Sequence, residues 1–160
     1  MPRMSLTAAV VVALAVSLVA ATPAAADKPV KEPAPPFGEA TGEFCEGFAV
    51  HIQATTDRGT LKVFSTGAAM VTGTLKVAVT NLDSGKTIQL NISGPARFSS
   101  DGSTLYGTGA WLLFGEPGFF GPGSPAILET NHGQLAVSLV DGTIISRIGH
   151  RVDLCPLLGD

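Results

Sequence analysis

The sequence predicts an all-β fold: mainly an antiparallel meander, closed as a small β-barrel of about eight or nine strands, with a β-sandwich as the alternative. Three observations carry this. From Phe44 onward apolar residues recur with a period of two, the mark of strands with one buried face. Clusters of Asp, Asn, Ser and Gly separate the alternating runs. Only two cysteines occur, Cys45 and Cys155, near the two ends of the patterned region. A bond between them would bring the first and last strands together.

The chain divides into three parts. Residues 1–26 read as an export signal: a short basic start at Arg3, an apolar Ala/Val/Leu run, and an A-x-A site at Ala24–Ala26. The competing reading, a membrane anchor, is weakened by the Ala-rich composition and by the lack of a basic stop-transfer cluster. Residues 27–43 are rich in Pro, charge and small residues and read as a poorly ordered lead-in. Residues 44–160 form a single domain with room for a real core. The expected location is secreted, or extracellular.

Within the domain, Phe48, Val50 and Ile52 share one face. Leu75, Val77 and Val79 share another, as do Ile88, Leu90 and Ile92, and Leu135, Val137 and Leu139. The expected strands are 46–56, 60–66, 69–81, 86–93, 95–99, 103–114, 125–131, 134–140 and 143–154. Between them, turn signals stand at Asp57-Arg58-Gly59, Asp83-Ser84-Gly85, Asp101-Gly102, Asn131-His132-Gly133 and Asp141-Gly142. Asn, Asp and Gly tolerate the backbone that tight turns need.

The export signal sets an oxidising compartment, so Cys45 and Cys155 are expected to be joined. The bond would close a loop of 110 residues. Such closures stabilise by about 4–5 kcal/mol in the chain-entropy account. If Cys45 lies opposite Cys155 across a seam of the first and last strands, Phe48 faces Val152 and Ile52 faces Ile148, both apolar couples.

The candidate ligand site comes from Tyr106–Gly115 and the loop that follows. Gly107 and Gly109 share a face with Leu105, Trp111 and Leu113. Glycines among large residues leave a gap: cavity volume walled by Trp111, or a bend that neighbouring side chains fill. The loop Gly115–Ser124 is long for a hairpin and places Phe119 and Phe120 among Gly and Pro. At least one ring should bury, either capping the fold or contacting a ligand. His150 has inward parity beside Ser146 and could bind a ligand, unless a bulge at Gly149 turns it outward. Glu116 and Glu129 flank the loop as the acids to test.

Other chemistries lack a signal. A formal charge of −3, which becomes one unit more negative without Arg3, argues against nucleic acid and anionic membrane surfaces. His51, His132 and His150 have no local metal-ligand spacing. There is no G-x-S-x-G and no Gly-rich phosphate loop opening a helix. No catalytic residue, metal or cofactor is therefore assigned. The expected function is a non-enzymatic binder of an apolar or amphipathic small molecule, or of a partner surface, at Trp111, Phe119, Phe120, Gly107, Gly109 and His150. The alternatives are a cell-envelope interaction protein without a ligand, and a cyclase- or isomerase-like enzyme built around a buried His150 or Glu129.

Four stretches carry a resemblance: Phe44–Ile52 (FCEGFAVHI), Thr72–Phe98, Tyr106–Gly115 (YGTGAWLLFG) and Arg151–Cys155 (RVDLC). On these the chain resembles a group of small exported actinobacterial proteins of unassigned function. The resemblance implies a β-rich exported domain with one disulfide, and transfers no activity or catalytic residue.

Overall fold

The computed structural model describes residues 28–159. The expected export signal and its cleavage site lie outside them. The described residues form one antiparallel sheet of nine strands and a short C-terminal helix. The strands are β1 (Val30–Pro33), β2 (Ala40–Cys45), β3 (Phe48–Val63), β4 (Ala69–Asn81), β5 (Thr87–Asn91), β6 (Ala96–Phe98), β7 (Thr104–Gly115), β8 (Ile127–Ser138) and β9 (Ile144–Asp153), followed by α1 (Cys155–Gly159).

The long β3–β4 hairpin organises the sheet. At its open end, Val50–Ala54 pairs with Val77–Asn81, and β2 and β5 add on either side. At its closed end, β1 pairs with Thr60–Val63, and β6 with Ala69–Val71. The sheet continues from β6 through β7 and β8 to β9. It curls until β2 lies against β7 and β8. Phe44 of β2 meets Phe114 of β7 edge-on, with ring centroids 5.3 Å apart. Val50, Ile52, Val77, Val79, Ile92 and Leu128 fill the space between. The alternation read from the sequence thus identifies most of the core, but Val137 is only partly buried, Ile148 is exposed, and Leu139 lies beyond the end of β8 and is exposed.

Two of the expected turns are not turns. Asp57-Arg58-Gly59 lies inside β3, and Asn131-His132-Gly133 inside β8. Each glycine faces another: Gly59 opposite Gly73, and Gly133 between Gly109 and Gly149. A Cβ on Gly73 would run into the carbonyl of Arg58, and one on Gly133 into that of Ile148. Gly73, Gly109 and Gly149 have φ of +151°, +81° and +130°, values that L side chains rarely adopt. These rows bend the strands sharply without breaking their pairing, and the expected four short strands become two long ones.

The lead-in is not unordered: residues 30–33 and 40–45 are β1 and β2. This also corrects the expected seam. Ala40–Gly42 pairs with Val50–Ile52, so β2 occupies the edge of β3 that the last strand would need. β9 pairs with β8 alone, Val152 lies opposite Thr130, and Ile148 lies opposite Gln134 and is exposed. Strand pairing therefore leaves the sheet unclosed.

Cys45 and Cys155 are nevertheless joined, with Cα atoms 5.5 Å apart. The bond ties the β2–β3 turn to α1, beyond the last strand. Asn81 holds the same helix from the other side: its Nδ2 donates to the Leu158 carbonyl at 3.0 Å, while its Oδ1 accepts the amides of Asp83 and Ser84. Leu158 is fully buried beneath.

Two predictions follow from this architecture. Cys155→Ser should lower unfolding free energy by about 2–5 kcal/mol in denaturant titration, because it frees a loop of 110 residues in the unfolded chain. Gly73→Ala should cost more than about 1 kcal/mol in the same assay, since both its φ and the Arg58 carbonyl oppose a side chain. A wild-type midpoint in either variant would contradict the role given to that position.

Candidate functional site

The bends create a concave site. A cavity of about 210 Å³ lies where the β3–β4 crease, the β5–β6 connection and β7 converge. Trp111 and Leu112 come from β7, Leu75 and Val71 from β4, and Ile92 from the start of the β5–β6 link. The remaining wall is the segment between β1 and β2, with Ala34, Pro35 and Phe37. The strap lies close to the crease, where a Cβ on Gly59 would come within 2.7 Å of the Ala34 Cβ. It is pinned twice: the Ala34 amide donates to the Gly59 carbonyl at 3.1 Å, and the Phe37 amide to Asp57 Oδ2 at 2.6 Å.

Trp111 reaches this wall because β7 bends at Gly109. The indole folds back over Gly107 and Gly94. A Cβ on Gly107 would lie 2.5 Å from its Cε2, and one on Gly94 2.5 Å from its Nε1. The Nε1–H donates to the Thr108 carbonyl at 3.1 Å. The gap at Gly107 is therefore filled by the indole, and the hollow lies elsewhere along Trp111. Gly109 supplies the bend.

The other expected ligand residues do not join this site. Phe119 and Phe120 pack edge-to-face on each other, with centroids 5.0 Å apart, above Gly115. Phe120 is half-buried and Phe119 remains 61% exposed. Their loop folds toward the β8–β9 turn, where the Phe119 carbonyl stands against Gly142. His150 is exposed next to Gly149, whose positive φ turns it outward. It faces His132 across the strands at 6.5 Å between ring centroids.

Glu129, Asp101 and Asp141 serve structural roles. Glu129 accepts from Arg147 Nη1 at 2.7 Å, with Arg151 at 4.0 Å, beside a wider and more open hollow of about 650 Å³ next to the disulfide. Glu116 lies near Gly42. Hydrogen bonds from Ser99 and Ser103 hold the Asp101 carboxyl down at about 2. Those from Ser138 and Thr143 lower that of Asp141. Both residues are in tight turns away from the cavity, so these shifts come from turn stapling. Among the described residues no group of three or more His, Cys, Asp or Glu could hold a metal ion. Buried Asn131 leaves its Oδ1 without a partner among the described residues, and its Nδ2 reaches the Gln134 carbonyl only at 3.4 Å.

Of the candidate ligand residues singled out in the sequence, Trp111 lines this cavity, and the strap that lines it with Phe37 is not among them. The signal available was Phe37, a lone aromatic in an otherwise polar and Pro-rich lead-in. No protein-family model, curated protein or solved structure matches the chain.

Trp111 is the single tryptophan, so its emission reports directly on the cavity wall. Gly107→Ala should displace the indole, shift the emission to the red and cost about 1–3 kcal/mol in stability. An unchanged emission maximum would place the ring elsewhere.

Proposed function

We propose that the protein is a secreted, non-enzymatic binder of an apolar or amphipathic small molecule, and that the curled, disulfide-clasped sheet serves as a barrel would, as its container. The observation that carries the reading is the cavity between Trp111 and the Phe37 strap, mainly apolar and edged by few polar groups. Such a lining suits ligand sites in general. Its volume of about 210 Å³ exceeds the roughly 150 Å³ that holds benzene in an engineered protein interior. The site therefore has room for an apolar group somewhat larger than benzene. Gly107, Gly94 and Gly109 act on this site through the placement of Trp111. Phe119, Phe120 and His150 lie outside it. The disulfide is consistent with an oxidising compartment. Among the described residues no helix is long and apolar enough to cross a membrane.

Butylbenzene tests the reading. It should bind saturably, shift Trp111 emission and raise the melting temperature, as any ligand of the folded state does. Val71→Phe, which fills the cavity from β4, should abolish both effects while the protein remains folded. A wild-type protein that shows neither effect would remove the cavity as a binding site.

A further inference from the structure

We infer that the cavity selects ligands carrying a positive charge, an organic amine or quaternary ammonium attached to a small apolar body, with Asp57 as the charge-reading residue. The inference rests on the binding reading above and names its ligand class.

Three features converge on it. First, Asp57 lines the same cavity as Trp111 and Phe37. A carboxylate at the edge of an apolar hollow attracts a cation and repels an anion. Second, this carboxylate has no cationic partner: among the described residues the ion pairs join Glu129 to Arg147 and Arg151. Asp57 accepts one neutral hydrogen bond, from the Phe37 amide to Oδ2 at 2.6 Å. That bond fixes the carboxylate against the strap and leaves Oδ1 available. Third, the cavity has aromatic walls on two elements, Phe37 on the strap and Trp111 on β7. Aromatic faces attract ammonium groups, tryptophan most strongly. Phe37 is itself steadied edge-on by Phe114, with centroids 6.5 Å apart.

The geometry also sets the strength. Asp57 is exposed, so its attraction is that of a charge in a high-dielectric rim and is reduced by salt. A rim carboxylate and an aromatic wall each contribute a factor of roughly three to five, hence about tenfold together. The cavity should therefore prefer a cation over its neutral isostere by about tenfold at low ionic strength.

Benzyltrimethylammonium and neopentylbenzene provide the comparison, since they differ in replacing N⁺ by carbon at constant shape. Both are titrated against the wild-type protein and Asp57→Asn, with Trp111 emission as the readout. The asparagine keeps an oxygen to accept the Phe37 amide and so preserves the strap. The expected result is about tenfold tighter binding of the cation to wild type, a preference that shrinks as salt is raised. In Asp57→Asn the preference should fall to the roughly three- to fivefold that the aromatic walls supply, with the affinity of neopentylbenzene unchanged. Equal affinities in wild type, or a cation preference that stays about tenfold in Asp57→Asn, would overturn the assignment of Asp57 as the charge-reading residue. If neither compound binds, the binding reading falls together with the inference.

Discussion

At Gly73, Gly133 and Gly149 neighbouring backbones meet with no room for a Cβ, and Gly59 and Gly109 stand across the ladder from them. This contact governs the rest of the molecule. A twisted sheet with strands as long as β3, β7 and β8 would otherwise splay into solvent and expose one apolar face. Bending those strands in register folds the sheet over its own core, so that β2 covers β7 and β8. The backbone hydrogen bonds continue through the crease, which makes bending cheaper than breaking the strands into separate hairpins.

The same bends make the cavity. In a straight strand Trp111 would stand about 13 Å along the chain from Gly107; with the positive φ at Gly109, the indole rests on that glycine. The β3–β4 crease supplies the opposite side, and the strap from β1 to β2 crosses at Gly59, where there is no side chain to hold it off. Fold and site therefore share one cause. Gly73, itself on the cavity wall, also shapes the cavity through the bend.

The strap also explains why the disulfide is a clasp and not a seam. With β2 on the edge of β3, β9 has no partner beyond β8, and the two ends of the curl meet through packing, α1 and the Cys45–Cys155 bond. Asn81 adds a second tie to α1 by spending its whole side chain on the helix carbonyl and the β4–β5 turn. A short helix of five residues is held from both sides in this way, with Leu158 as its buried anchor.

The sequence by itself determined the all-β class, most of the strand faces that form the core, and the cysteine pair. These depend on local alternation and on residue chemistry that neighbours in the chain express directly. It could not decide whether Gly59 and Gly133 end strands or bend them, because Asp-Arg-Gly and Asn-His-Gly have the same local preference in a turn and in a crease. The choice depends on the glycine across the ladder, 14 residues away for Gly73 and 24 for Gly109. Nor could it decide that the Pro-rich lead-in is structural. Val30–Pro33 and Ala40–Cys45 carry little apolar pattern of their own and become strands because β3 offers open edges to pair with. Edge pairing is a property of the folded sheet, so only tertiary structure could place Phe37 opposite Trp111, with Asp57 at the rim.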